Sequence, residues 1–213
     1  MKEPTEQLKK WTDKFGKEYT DRNTLDCAGV DKLYQDNYGI TRRELNREFL
    51  QGIDRSARIL EVGSNTGNQL ICLSEAGFET LYGIEPQEYA VELSKQRTRG
   101  INIIRGNAFD LPFKDNYFDL VFTSGVLIHI SPEKIKDALK EIVRCSRKWI
   151  WGFEYYAPKH TEINYRGNND LLWKADFSRI YCENFPELKK IRSKMLPYLD
   201  TPENKDEMFL LEK

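Results

Sequence analysis

Histidine is scarce in this chain, with 2 in 213 residues, and cysteine numbers only 4: Cys27, Cys72, Cys145 and Cys182. No two cysteines form a C-x-x-C pair, so neither a structural zinc site nor a disulfide framework is expected, and no metal. Reduced thiols in a cytoplasmic protein are the expectation, with Cys72 and Cys145 in helical apolar patterns as core residues. No run of 18 apolar residues is present, so no membrane span is expected. The opening MKEPTEQLKKW has no apolar signal core, so secretion is not expected. Excess charge of one sign is also missing: 33 basic and 34 acidic residues leave a net charge of -1, which argues against a broad nucleic-acid-binding face. What is present, 39% hydrophobic and 31% charged residues, suits one soluble globular domain with a small appendage.

Strand and helix signals alternate from residue 58 onward. RILEVG (58–63), ETLYGIE (79–85), INIIRG, YFDLVFTSG (117–125) and KWIWGFEYY (148–156) read as strands. GNQLICLSEAG reads as a helix stopped by Gly77, and PQEYAVELSKQRTRG as one running from Pro86 to Gly100. SPEKIKDALKEIVRCS (131–146) reads as a helix capped by Ser131. This alternation predicts an α/β fold with a doubly wound, mostly parallel, Rossmann-like sheet. Residues 168–185 are expected to be helical. KIRSKMLPYL and DEMFLLEK are expected to close the sheet as an antiparallel hairpin. Upstream, residues 1–50 read as helical pieces, with YTDRN as a turn and a capping box from Thr41 to Glu44. The remainder, 51–213, reads as one domain.

The turn ILEVGSNTGNQL (59–70) follows the first strand, where open parallel sheets place their ligands. A phosphate, a dinucleotide and S-adenosylmethionine all favour such a strand–turn–helix. Gly63 allows close backbone approach, and Gly67 permits tight helix packing or a positive φ. The second and third glycines of a G-x-G-x-x-G fingerprint are lacking, since those positions hold Asn65 and Asn68, so a nicotinamide enzyme is disfavoured. Glu85, at the end of the second strand and 24 residues after Glu61, is placed to accept both hydroxyls of an adenosine ribose.

E-V-G-S-N-T-G resembles the first motif of class I S-adenosylmethionine-dependent methyltransferases. Asn65 stands where that family often has glycine, and asparagine tolerates left-handed backbone. RGNAFDLPF followed by DNYFDLVF resembles a second segment of the same family. That resemblance implies cofactor contacts from Glu61, Gly63, Asn65, Gly67, Glu85 and Pro86. It adds Asn107 to the adenine amino group, the Ala108 N–H to a ring nitrogen, Phe109 beside the adenine, and Ser124 after the fourth strand. GKEYTDRN (16–23), TSGVLIHISPEK (123–134) and EYYAPKHTEINYRGNNDLLWKADF (154–177) resemble the methylases associated with pseudaminic acid biosynthesis. Asn168 departs from the histidine expected there in many of those relatives. This closer resemblance implies that residues 1–50 form a helical N-terminal lid, in which Arg22 pairs with the methionine carboxylate and Tyr19 covers the sulfonium, and that about 154–185 is an acceptor-site insertion in the 51–213 domain.

Direct methyl transfer requires alignment, desolvation and, for an acidic acceptor, removal of a proton. His129 follows the fourth strand and is the candidate base, with Tyr19 and Arg166 as further catalytic candidates. Acceptor contacts are expected from Glu154, Tyr155, Tyr156, Tyr165, Arg166, Trp173 and Lys174. One cation pair among aromatics suits a small anionic or sugar-like acceptor methylated on oxygen or nitrogen. RNA or protein methylation, or a non-catalytic adenosylmethionine-binding module, are the alternatives. The expected assembly is a monomer or homodimer.

Overall fold

The computed structural model describes residues 4–213; the first three residues of the expected 1–50 lid lie outside the described residues. Four helices precede the first strand: α1 (Glu6–Thr12), α2 (Lys14–Arg22), α3 (Cys27–Tyr38) and α4 (Arg42–Phe49). Thr41 and Glu44 form the expected reciprocal capping box on α4. The expected turn at YTDRN is instead the last part of α2, whose carboxyl end is Asn23. Residues 19–22 continue the helix because Asn23 closes it, its N–H donating to the carbonyls of Tyr19 and Thr20.

The strands β1 (Arg58–Val62), β2 (Thr80–Glu85), β3 (Ile101–Arg105), β4 (Phe118–Ser124) and β5 (Ser146–Tyr155) are parallel. Their connections carry α5 (Asn68–Glu75), α6 (Glu88–Arg97) and α7 (Ile135–Cys145). Further on come the short pair β6 (Thr161–Glu162) and β7 (Trp173–Lys174), then α8 (Phe177–Asn184), β8 (Lys189–Pro197) and β9 (Lys205–Glu212). The seven-stranded sheet runs β3-β2-β1-β4-β5-β9-β8, with β9 antiparallel to both neighbours. The expected closing hairpin is therefore present, and its second strand is the one that joins the sheet.

Alternate side chains of the strands face opposite layers, as strand geometry requires. Leu60 and Val121 pack with α7 and α8, while Ile59, Leu120 and Phe122 pack with α3, α4 and α5; Phe118 joins the first layer because the β4 register shifts between Phe118 and Leu120. On α7, Ile135, Ala138, Leu139, Ile142 and Val143 are all buried, the spacing of an amphipathic helix. Cys72 and Cys145 are buried as expected, and all four cysteines are free thiols.

Two helix boundaries differ from expectation. α7 begins at Ile135, because Ser131–Lys134 forms a separate turn in which Ser131 accepts the N–H groups of Lys134 and Ile135. Helix over 168–185 is confined to α8. Asp176 caps it through the Arg179 N–H, and Trp173–Lys174 pairs with Thr161–Glu162 instead. Left-handed Arg166 (φ 51°) and Gly167 (φ 78°) turn the chain between those two strands. No described helix is long and apolar enough to cross a membrane.

Candidate S-adenosylmethionine site

A cavity of about 200 Å³ opens above the carboxyl ends of β1, β2 and β4 and is roofed by α1 and α2. Its floor is the β1–α5 turn. Gly63 there has φ 75°, and a β-carbon on it would stand 2.5 Å from Val126 Cγ2. Asn65 has φ 46°, the left-handed backbone that its side chain tolerates. Gly67, also left-handed at φ 82°, caps α5 and stands outside the lining.

Glu85 ties two of the loops together. One carboxylate oxygen accepts the N–H of Asn65 and the other that of Gln87, each at 2.9 Å. Burial pushes its carboxyl up to about 7, against the pull of those two N–H groups. Glu61 is buried beside it. Its carboxyl is held well above the usual range by burial, partly offset by the Arg42 guanidinium. Asn107 folds back so that its carbonyl oxygen accepts the N–H of Phe109 at 2.9 Å. Pro86, Ala108, Phe109, Ser124 and Tyr19 also line the cavity.

His129 lines the cavity from a 3-10 turn (Leu127–His129) that follows β4. Its Nδ1 lies 2.8 Å from the carbonyl oxygen of Leu171. A carbonyl only accepts, so Nδ1 carries the proton and Nε2 keeps a lone pair. Burial lowers the imidazole to about 4, which leaves it neutral near pH 7. Glu154, expected to touch an acceptor, instead lies beneath this turn. Its carboxylate accepts the N–H of Val126 at 3.0 Å and that of Ile128 at 3.4 Å.

Several expected residues lie elsewhere. Arg22 is exposed and outside the cavity, since α2 turns its side chain to solvent. Tyr155, Tyr156, Tyr165, Arg166, Trp173 and Lys174 are likewise absent from the lining. Tyr165 comes nearest, with its ring 5.5 Å from that of His129. Arg166 is exposed in the following turn, Trp173 is buried in β7, and Lys174 donates to Asn204 Oδ1 at 2.5 Å. No lysine or arginine is among the described residues lining the cavity.

Three contributors were not picked out from sequence. Gln87 straps the α1–α2 junction, its Nε2 donating to the carbonyls of Trp11 at 3.2 Å and Asp13 at 3.0 Å. Trp11 lines the cavity with its ring 4.4 Å from His129. Arg42 is fully buried behind the floor, donating to Tyr34 Oη at 2.5 Å and to Ser124 Oγ at 3.3 Å. Its place on the Arg42, Leu45, Phe49 face of α4 was the available signal, because an arginine on an apolar helix face is rarely idle.

The cavity's polar chemistry fits the cofactor. Trp11 Nε1, Glu61 Oε2, Ser64 Oγ, Asn65 Oδ1 and Gln69 Oε1 are buried atoms of lining residues with no protein partner. Unpaired buried polar atoms cost about 1–3 kcal/mol each, so their convergence marks a polar ligand. Acceptors facing an ammonium and ribose hydroxyls suit S-adenosylmethionine. Among the described residues no cluster of histidine, cysteine and carboxylates is placed to hold a metal.

Comparison with known proteins agrees. Residues 60–148 match the family model described as "Methyltransferase domain". The chain is 30% identical over 115 residues to an uncharacterized methyltransferase of Staphylococcus carnosus, covering 54% of this chain and 53% of that one. It is 34% identical over 100 residues to the demethylmenaquinone methyltransferase of Bacillus licheniformis, covering 45% and 42%. The chain thus spans about half the length of these curated relatives. A crystal structure of a Pyrococcus horikoshii protein superposes with a TM-score of 0.61 at 15% identity, covering 79% of this chain and 90% of that one, a likeness of fold. Residues 60–148 thus resemble a methyltransferase domain, and the strand order and the cavity above β1 and β2 agree with that resemblance and with S-adenosylmethionine as the cofactor.

Proposed function

We propose that the protein transfers a methyl group from S-adenosylmethionine to an oxygen or nitrogen of a small acceptor. The acceptor enters between the N-terminal helices and the 161–174 segment. The observation that carries this reading is the placement of His129. Its unprotonated Nε2 borders the cavity where Trp11, Tyr19 and Tyr165 gather.

When bound, the cofactor supplies an already activated methyl group. The protein's own residues hold and enclose it. Glu85 receives the ribose hydroxyls, and the Asn107–Phe109 loop receives the adenine. Residues 1–50 act as the lid: the side chains of Gln7 and Lys10 reach the Asp170 carbonyl at 3.1 Å and Asn168 Oδ1 at 2.9 Å. Such alignment and exclusion of water contribute up to ~7–11 kcal/mol in ideal cases. For a hydroxyl acceptor, His129 Nε2 takes the proton as the methyl is transferred.

The acceptor is read as small, with an anionic or sugar-like part at the cavity mouth. Exposed Arg166 beside Tyr165 supports this, and so does the lack of any cation among the described lining residues, which keeps the charged part outside. Kinship with the pseudaminic acid-associated methylases and a cytoplasmic monomer or homodimer belong to the same reading. Incubation with methyl-labelled cofactor and a panel of sugar acids, small carboxylates and quinols tests it. Label in a small molecule supports it, and label in RNA or protein alone overturns it.

A further inference from the structure

The polar atoms left unpaired around the cavity are unequal in kind. Glu61 Oε2, Asn65 Oδ1 and Gln69 Oε1 accept, and Ser64 Oγ does either; Trp11 Nε1 alone can only donate. The indole is fixed in place. Its backbone carbonyl is held by Gln87, and its ring packs against those of His129, Phe15 (5.3 Å) and Tyr19 (5.1 Å). A buried donor so constrained needs an acceptor supplied by the ligand.

The cofactor carries one anionic acceptor, its methionine carboxylate, and its adenine ring nitrogens are assigned to the Asn107–Phe109 loop. No lysine or arginine lines the cavity among the described residues, and Arg22 is exposed outside it. Its ammonium has no lone pair to offer, and its ribose hydroxyls are directed as donors toward Glu85. We infer that the Trp11 indole N–H binds the methionine carboxylate, doing for this lid what an arginine was expected to do. The inference rests on the cofactor assignment and names a further binding residue for it. It also makes the amino-acid end of the cofactor part of what holds α1 in place. A neutral donor leaves the carboxylate's charge uncancelled beside the neutral His129, whereas a guanidinium would offset it.

Calorimetric titration of the full chain with S-adenosylmethionine and with its decarboxylated form isolates the carboxylate, because only that group differs. The wild type is expected to prefer the carboxylated ligand. Trp11→Phe keeps an aromatic ring and removes the donor. It should weaken S-adenosylmethionine roughly tenfold, the lower range for a hydrogen bond to a charged group, and leave the decarboxylated ligand unchanged. Benzothienylalanine at position 11, which keeps the bicyclic shape without the N–H, should do the same. Arg22→Ala should alter neither affinity. Equal weakening of both ligands by the two Trp11 changes, or no weakening, overturns the inference, as does a selective loss in Arg22→Ala. A wild type that binds neither ligand overturns the cofactor assignment itself, a result distinct from all of these.

Discussion

His129 Nδ1 and the Leu171 carbonyl oxygen are 2.8 Å apart, joining the turn after β4 to the segment before β7. The bond sets the tautomer of the imidazole and therefore which nitrogen can act. It also makes the geometry of the base depend on a stretch that approaches the lid through Asn168 and Asp170.

His129→Gln should lower turnover of a hydroxyl acceptor by about 10²–10⁴, the usual range for a lost general base. Affinity for S-adenosylmethionine should be unchanged by calorimetry. Because the imidazole loses its proton at about 4, the wild-type rate should show no histidine limb near pH ~6.5. Such a limb, absent from the variant, would mean that His129 is solvated during turnover.

Glu85→Ala should weaken S-adenosylmethionine binding by ~1.5–3 kcal/mol, the scale of a hydrogen bond to a charged acceptor. The carboxyl rests at about 7 without ligand, and ribose hydroxyls favour its ionised form. Affinity should therefore fall as pH drops below about 7, and Glu85→Gln should flatten that dependence. An unchanged affinity in Glu85→Ala would remove the ribose assignment.

Glu154 governs a stability effect of definite sign. Burial raises its carboxyl to about 7 in the fold, against about 4.3 in an unfolded chain. Between those values the native state keeps a proton that the unfolded state has lost, so rising pH destabilises the fold. Glu154→Gln removes this penalty. The difference in melting temperature, variant minus wild type, should increase from about pH 5 to about pH 8 in thermal unfolding.

Gly63→Ala should reduce cofactor affinity while the sheet still forms. The new methyl meets both a left-handed backbone (φ 75°) and Val126 Cγ2 at 2.5 Å, so the floor must shift. An affinity equal to the wild type would show that the turn relaxes freely.

Arg166→Ala should spare cofactor binding and reduce turnover of an acidic acceptor, read as a higher KM. Equal loss of cofactor affinity would place the acceptor entrance elsewhere.

Much of the cavity's lining was legible in sequence because it is carried by local motifs. Gly63, Asn65, Glu85 and the Asn107–Phe109 loop stand at strand ends, and strand order brings all strand ends to one rim. Tyr19 and His129 also reach the cavity as expected. Residues whose direction depends on packing were not legible. Arg22 lies almost one turn from Tyr19, yet as the last residue of α2 it is exposed while Tyr19 lines the cavity. Glu154 ends β5 at the right height but points beneath the His129 turn, where burial and three backbone N–H groups hold it. Trp173 was read on a helix because LLWKADF has helical spacing, and its pairing with Glu162, eleven positions away, left no local trace.

By itself the sequence determined the α/β alternation, the antiparallel hairpin, the ligand turn after β1 and the acidic residue after β2. Each is set by periodicity, by a glycine's backbone freedom or by a short spacing, which neighbouring residues encode. The tertiary structure alone decided that α1 lies across the cavity, that Trp11 and Gln87 meet over it, and that Arg42 is buried beneath. The Trp11–Gln87 and Arg42–Ser124 contacts join residues 76 and 82 positions apart, and only the folded chain's packing and the cost of leaving a buried polar group unpaired select them.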